Sequence, residues 1–523
     1  MLFNSYVFLF LFLPVTLTVY LIAQARGMGA VAMIWATLAS LFFYGWWHPA
    51  YLTLIVASVL FNYALGQEIL RRPAASRLAV LGIAVNLGVL GYFKYRNFFV
   101  DTANWITGLN WGNAEIVLPL AISFFTFQQI SYLVDCRNRK LAPAGFQEYA
   151  FYVTFFPQLI AGPIVRFDEM FDQIRRGCRR SRMNTDLAIG ISIFVIGLFK
   201  KVVIADYAAG EADPIFAAAA DRDIIFLEAW KAALFFTAQI YFDFSGYSDM
   251  AIGLARMFGF RLPINFYSPY RAASIIDFWR RWHMTLSRFL RDYLYKPLGG
   301  NRKGLMRRHV NLIIVMLLGG LWHGAAWTFV LWGGLHGLAL MVNHLWQTTR
   351  LRAWLRRTVP LCLYGAAAVG LTLLFVVVGW IVFRAESWPV LVNLVSALLG
   401  MDGRMVLPDT YGVRLGGLAD DLARMGVVFR GHFDEVFLFG GIRDLSAAAA
   451  LILVTLVAPN TQQVFRRSRP ALLPDFDLPV TCWGRWLRWR PAGLWAAVIA
   501  AAFAASVLTM ATRQNIQFLY FQF

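Results

Sequence analysis

YFDFSGYSDMAIGLARMFGFRLPINFYSPYRAASIIDFWRRWHMTLSRFLRDYLYKPLGGNRKG occupies residues 241–304, and an apolar run then leads into LLGGLWHGAAW, residues 317–327. Two histidines, His283 and His323, lie in this stretch, flanked by tryptophans and small residues. On both sides the chain reads as apolar helix. An imidazole at membrane depth is costly, so its presence there points to a task. The rest of the chain reads as a membrane scaffold that holds this stretch at a set depth.

Composition agrees. Of 523 residues, 59% are hydrophobic and 15% charged, against about 25% charged in an ordinary soluble protein. Mean hydropathy is +0.57. Repeated apolar runs of about 20 residues place the chain among polytopic, all-α membrane proteins. The net charge of +19 then belongs to loops that set orientation, since Lys and Arg gather on the cytoplasmic side. No polar basic domain is present, so nucleic acid is not an expected partner, whereas membrane lipid is. Cys136, Cys178, Cys362 and Cys482 have no pairing or zinc-like spacing, and no metal site is expected.

Apolar runs at 5–24, 29–47, 50–66, 77–93 and 116–134 are separated by loops, every second of which is basic: Arg26, then Arg71 and Arg72, then Arg137, Arg139 and Lys140. This pattern predicts an outer N-terminus and a cytoplasmic 137–145 loop. Ala23-Gln24-Ala25 resembles a signal-peptidase site, but the preceding run is too long and starts without a basic residue, so it is read as a retained helix. Lys94 and Arg96 sit among aromatics and are expected to snorkel at an interface. Residues 146–165 are interrupted by Pro157, Gly162 and Pro163 and predict a broken, re-entrant segment. Residues 256–308 hold twelve Lys or Arg against Asp277 and Asp292, which predicts the cytoplasmic face. The reading continues with 310–346 as two short passes or one helix broken near Gly319-Gly320. An outer segment at 384–435 and peripheral helices across 360–523 complete it. The sum is a single membrane domain over 1–523, with core motifs at 118–345 and about 11 to 13 spans in all.

Several residues in this frame are candidates for chemistry. A helical wheel over 275–295 puts Asp277, Arg280, Arg281, Arg288, Arg291 and Asp292 on one arc and aromatics with His283 on the other, as in an interfacial amphipathic helix. His323, with Trp322 and Trp327 beside it and Gly319, Gly320, Ala326, Gly334 and Gly337 near its face on a continuous helix, is the stronger catalytic candidate, because imidazole takes and returns protons at neutral pH. A packed structural histidine is the alternative for each. In YFDFSGYSDM, Asp243, Ser245, Tyr247, Ser248 and Asp249 either line a polar substrate cavity or satisfy a helix end at a glycine break. PLGGNRKG offers Lys296, Arg302 and Lys303 to phosphates, or is simply a basic turn. His48, His309, His336, His344 and His432 have no metal spacing and read as structural.

DFSGYSDMAIG, INFYSPY, DFWRRWHMTLSRFLRDYLYKPLGG and GGLWHGAAW, taken in that order, resemble the membrane-bound O-acyltransferases, as do LPLAISFFTFQQISYLVD at 118–135, FFPQLIAGPIVR at 155–166 and the FLYFQF ending. The likeness is greatest to the bacterial branch that acetylates alginate and D-alanylates teichoic acid. It implies that His323 corresponds to the family's catalytic histidine and His283 to its second functional one. It also implies transfer of an acyl group from a cytoplasmic thioester to a hydroxyl beyond a thinned membrane. In the alginate-like branch the group is acetyl and the donor acetyl-CoA, with no tightly bound cofactor. The partner there is a periplasmic SGNH-type acetyltransferase or acceptor protein, and the location the bacterial inner membrane. Direct transfer with His323 as general base and an acyl-histidine route both fit. A polysaccharide or carrier transporter and a non-catalytic platform for a periplasmic enzyme are the alternatives from other classes.

Overall fold

The computed structural model describes residues 1–72, 76–177, 182–431, 438–473, 487–512 and 518–519. His432, Cys178, Cys482 and all but Phe518 and Leu519 of the FLYFQF ending lie outside the described residues. Within them the chain is helical, and the one sheet is a parallel pair of two-residue strands, Val406–Leu407 and Val428–Phe429.

The first five helices are α1 (Phe8–Ala25), α2 (Gly29–Gly45), α3 (Tyr51–Arg71), α4 (Arg77–Thr107) and α5 (Ile122–Arg137). Short links make successive members antiparallel, so Arg26, Arg71 and Arg137 mark one end of the bundle, and Trp47 and residues 108–121 the other. Then come α6 (Phe146–Thr154), α7 (Phe167–Arg176), α8 (Met183–Ala218) and α9 (Phe226–Met257). The segment between α6 and α7 is broken, as its prolines require: a helix resumes only over Phe156–Leu159 before giving way to irregular backbone.

Beyond these the chain includes α10 (Ile275–Trp279), α11 (Met284–Leu290), α12 (Gly304–His323), α13 (Trp327–Gln347), α14 (Leu361–Arg384), α15 (Trp388–Leu398), α16 (Ile442–Val457) and α17 (Gly493–Thr512), with shorter helices such as Arg350–Thr358 and Gly417–Arg424 between them. Seven of the described helices, α1, α3, α4, α8, α12, α14 and α17, are long and apolar enough to cross a membrane by length and composition. Other runs that the sequence reading counts as spans, such as α2 and α5, have 17 and 16 residues. α9 is long enough at 32 residues, but carries charges that are neutralised inside the protein.

α9 is the axis of the fold. Every residue from Phe235 to Met257 is buried, so this helix is enclosed on all sides. Its partner is α8, and glycines set the distance between them. A Cβ on Gly197 would come within 2.5 Å of the Gly246 carbonyl oxygen, and one on Gly190 within 2.7 Å of that of Gly253. Two backbones in direct contact require this pattern of small residues. Gly246, in the middle of YFDFSGYSDM, is thus a crossing point and not a helix break, which removes the helix-end reading of that motif.

The wheel over 275–295 is corrected as well. α10 stops at Trp279, α11 begins at Met284, and a π-helical turn spans Arg291–Tyr295. No single amphipathic helix exists there, because the intervening turn is pinned to residues 265–267. Likewise 304–347 breaks at Gly324–Ala326 and not at Gly319-Gly320. Gly320 instead meets Gly333 where α12 and α13 cross: a Cβ on Gly320 would fall 2.1 Å from the Phe329 carbonyl oxygen and 3.1 Å from the Gly333 Cα. The small residues expected on one face of a continuous helix are the interior of a helical hairpin.

Candidate active site

His323 is the last residue of α12. The chain must turn sharply after it to start α13, and Gly324 makes this possible, since a Cβ there would lie 2.0 Å from the Phe329 ring. The free carbonyls at a helix C-terminus need donors. Lys94 Nζ supplies two of them, at 2.6 Å to Trp322 O and 3.1 Å to His323 O, and the Tyr95 hydroxyl donates to Leu321 O at 3.0 Å. Lys94 and Tyr95 occupy a π-helical turn, Gly91–Tyr95, in α4; such bulges are frequent at functional sites.

His283 is fully buried and precedes α11 with φ 41° and ψ 54°, a left-handed conformation that a side chain of this size adopts only under constraint. Two backbone hydrogen bonds impose it: Met284 N donates to Asn265 O at 2.9 Å, and Tyr267 N to Arg281 O at 2.9 Å. The Asn265 side chain then sets the ring. Its Oδ1 accepts from Thr285 N at 3.3 Å and from Thr285 Oγ1 at 2.9 Å, while its Nδ2 donates to Ser248 Oγ at 3.2 Å. A backbone N–H can only donate, so the orientation of this amide is determined. His283 Nδ1, 3.1 Å from the same Oδ1, must therefore carry hydrogen. In the neutral ring the lone pair is left on Nε2.

The two imidazoles face each other at 6.4 Å between ring centroids. Trp322 packs beside both, at 6.0 Å from His283 and 5.0 Å from His323. Phe244, from the middle of α9, meets His283 edge-on at 4.8 Å, and Trp332 and Phe383 meet His323 edge-on at 5.3 and 5.4 Å. A third imidazole belongs to this cage. His336 is fully buried, 4.7 Å from the Trp332 ring, and its Nδ1 accepts from Trp279 Nε1 at 3.2 Å.

Two cavities reach the cage from opposite ends of the bundle. The smaller, about 100 Å³, is walled by Trp47, Lys94, residues 118–124, Ile160, Ala161, Trp322 and His323, and lies at the end away from the basic loops. The larger, about 650 Å³, opens at the basic end between Arg280, Arg291, Lys296, Arg302 and Arg308, and reaches inward past Ser287 and Leu290 to Met316. Both touch α12. Met316 and His323 are seven positions apart, about 10 Å of rise at 1.5 Å per residue. A group held at the end of the larger cavity is therefore two turns of one helix from the imidazole at the end of the other.

Not every candidate from the sequence gathers here. Trp322 does, as do Lys296 and Arg302 at the mouth of the larger cavity. Lys303 is exposed beside that mouth, and Trp327, 56% exposed, packs on Phe98 at the start of α13. Most polar residues of YFDFSGYSDM have partners within the protein, whereas the buried Ser245 hydroxyl has no hydrogen-bond partner among the described residues. Asp243 pairs with Lys201 at 2.8 Å and accepts from Leu519 N at 2.8 Å. Asp249 pairs with Lys200 at 2.6 Å and accepts from the Thr461 hydroxyl at 2.6 Å. Tyr247 is stacked between Phe3 and Phe518, and Ser245 borders a small void beside Lys200. The motif reaches His283 through Ser248, by way of Asn265, and through the ring of Phe244. Sequence reading passed over Asn265, placed Lys94 as a snorkelling side chain at an interface and took His336 as structural. The signal was present for each: a polar residue within an apolar stretch, with no local partner to explain it.

Among the described residues no group of three or more His, Cys, Asp or Glu is arranged to hold a metal ion. Two buried imidazoles lining one aromatic cage are suited to taking up and returning a proton at a group held there.

Comparison with known proteins gives the following likenesses. A model of MBOAT, the membrane-bound O-acyltransferase family, matches residues 120–362. The "Peptidoglycan O-acetyltransferase" of Helicobacter pylori is 43% identical over 77% of this chain and 80% of its own length. The "Probable alginate O-acetylase AlgI" of Pseudomonas aeruginosa is 38% identical over the whole of both chains. The "Teichoic acid D-alanyltransferase" of Streptococcus thermophilus is 28% identical over 45% of this chain and 59% of its own length.

Proposed function

Because the chain belongs to the membrane-bound O-acyltransferase family and is a multi-pass membrane enzyme of acyl transfer, we propose that it passes acetyl from acetyl-CoA across the bacterial inner membrane to a hydroxyl acceptor. The observation that carries this reading is the pair of cavities meeting α12 two turns apart, with His323 at the end of one and a ring of basic side chains at the mouth of the other. The orientation follows from positive-inside: the N-terminus is outside, the basic mouth faces the cytoplasm, and the smaller cavity faces the periplasm.

In this reading the phosphates of the donor rest among Arg280, Arg291, Lys296, Arg302 and Arg308, for which guanidinium and ammonium groups are suited. The thioester arm extends inward along α12. The acceptor hydroxyl comes from the other side and gives its proton to the His323 imidazole as its oxygen attacks the thioester carbonyl. The carbon–sulfur bond breaks, and the leaving sulfur takes the proton back from the imidazolium, so that free CoA departs to the cytoplasm. His283, with its Nδ1–H engaged by Asn265, presents its Nε2 lone pair beside this path and orients the reacting groups. General-base assistance of this kind is worth about 10²–10⁴-fold, and holding both reactants along one helix contributes further by proximity. The relatives' names point to a cell-envelope polysaccharide as final acceptor, reached directly or through a periplasmic acetyltransferase.

Reconstituted protein incubated with labelled acetyl-CoA should release CoA and transfer label when an acceptor is supplied. His323→Ala should stay in the membrane and lose the transfer. Near-normal label transfer by that variant would refute the assignment. Label-free passage of a carrier, with acetyl-CoA untouched, would favour a transporter.

A further inference from the structure

We propose that the groove between α13 and α14 binds one phospholipid with an anionic head group, drawn from the leaflet at the basic end of the bundle.

α13 and α14 are in contact where the Phe375 ring meets His336, 5.2 Å between centroids. From there they part towards the basic end, and the start of α10, at Ser274 and Ile275, forms a third wall. The groove between them holds about 910 Å³. Its sides are apolar: Ala339, Val342 and Trp346 on α13, and Leu361, Ala368 and Leu371 on α14. Gly365 lies in the same wall, and a Cβ there would meet nothing within 4 Å. Leu361 and Phe375, which mark the two ends, are fourteen positions apart, about 21 Å at 1.5 Å per residue. The hydrocarbon core of a bilayer is about 30 Å thick. The groove therefore runs through the depth of one leaflet, the span of one lipid's acyl chains, and stops.

Such walls suit any acyl chain, and selection comes from the mouth. Arg352 and Arg356, one turn apart on the short helix Arg350–Thr358, line it. Leu351 and Trp354, on another side of that helix, are exposed, as in a helix lying along a membrane surface. Arg352 Nη1 donates to the Gln347 carbonyl oxygen at 3.3 Å, which ties it to the end of α13. A guanidinium stays charged in proteins and offers five N–H donors, so both charges are present. Elsewhere in the bundle such groups are paired, Arg256 with Asp186 and Arg222 with Glu228, each at 2.6 Å. Among the described residues no carboxylate lies within ion-pair distance of Arg352 or Arg356, and none lines the groove. Two guanidiniums over an apolar groove between membrane helices are matched to a lipid phosphate. A zwitterionic lipid sets a cation beside that phosphate, which these arginines repel, whereas an anionic lipid does not.

The test uses the full-length protein in detergent, titrated with phosphatidylglycerol or phosphatidylcholine of identical acyl chains, and native mass spectrometry to read the affinity of the first bound lipid. Each basic side chain near an anionic membrane surface is worth about fivefold in affinity, so wild type should prefer phosphatidylglycerol by about tenfold or more. Arg352→Gln/Arg356→Gln should bring that ratio close to one, and Arg352→Lys/Arg356→Lys should keep most of it. Arg350→Gln/Arg357→Gln removes the same charge from the same helix, at positions that do not line the groove, and should leave the ratio unchanged. Gly365→Phe should fill the groove and weaken both lipids. Glycerol 3-phosphate, a head group without chains, should not displace phosphatidylglycerol. The proposal is wrong if wild type binds the two lipids alike, if both Gln pairs lose the preference equally, if Gly365→Phe changes neither affinity, or if glycerol 3-phosphate competes. Pairing of two protein copies through this groove, rising with protein concentration and indifferent to lipid, would also overturn it.

Discussion

The imidazoles of His283 and His323 lie 6.4 Å apart between centroids, each brought there by a different constraint: a left-handed residue clamped to Asn265, and the end of a helix capped by Lys94. Their separation suits two groups acting on one reacting centre from adjacent sides. His323→Ala should lower CoA release in the presence of acceptor by about 10²–10⁴-fold. Residues that act as a unit are strongly non-additive. Hence His283→Ala/His323→Ala should be little slower than His323→Ala alone. Losses that simply multiply in the double variant would show that the two rings work independently.

Asn265 should act on the reaction through His283. Asn265→Ala removes the acceptor for His283 Nδ1 and for Thr285, and should reduce kcat by about ten- to a hundredfold while leaving KM for acetyl-CoA near its wild-type value. Asn265→Asp keeps an oxygen where Oδ1 stands and should recover most of kcat. A purely structural role predicts otherwise: both variants would lose folded protein together, and the surviving fraction would turn over at the normal rate.

Much of this arrangement was legible beforehand, and the gaps have a common cause. Helical membrane character follows from composition and run length, and the break between α6 and α7 from Pro157, Gly162 and Pro163, all of which act locally. His283 and His323 stood out because imidazole is rare in apolar helix. The misread features depend on contacts between distant segments. Periodicity over 275–295 is real, but Tyr267 and Asn265 pin the chain at Arg281 and Met284 and divide it. Gly246 and Gly320 look like breaks in isolation, and only their neighbours Gly197 and Gly333 reveal them as crossings. Asp243 and Asp249 look like a polar cavity until Lys201 and Lys200 are placed against them.

The crossing of α12 and α13 can be tested by a single methyl group. A Cβ on Gly333 would lie 2.2 Å from the Met316 carbonyl oxygen, whereas one on Gly334 would meet only a Leu317 methyl at 3.4 Å. Gly333→Ala must push the two helices apart and should cost about 1–3 kcal/mol of stability. Gly334→Ala should fall within about 0.5 kcal/mol of wild type. Thermal unfolding in detergent measures both. Because His323 terminates α12, Gly333→Ala should also lose activity beyond its loss of folded protein.

At the basic end, Asp292 is bonded by Arg291, Lys296 and Arg166. Burial alone would raise its carboxyl, but these cations outweigh burial and hold it well below the usual carboxylate range. A depressed carboxylate contributes stability that is fully present above its unfolded value, about 3.9, and is lost as pH falls through the folded value. The stability gap between wild type and Asp292→Asn should therefore stay constant from neutral pH down to about 5 and narrow below about 4. A gap that instead changes between pH 6 and 8 would mean that another group controls this cluster.

The Lys200–Asp249 pair decides whether the polar stretch of α9 belongs to the scaffold or to the substrate path. Both side chains are largely withdrawn from solvent, and Asp249 also accepts from Thr461 and, at 3.3 Å, from Gln462. Removing one member leaves an uncompensated buried charge, a loss of about 3–5 kcal/mol, whereas replacing both by apolar groups of similar size is often close to neutral. Asp249→Ala should thus fail to accumulate in the membrane, and Lys200→Met/Asp249→Leu should recover both accumulation and acetyl transfer. A double variant that accumulates normally but does not turn over would show that Asp249 touches the acceptor, and would return the motif to the role its sequence first proposed.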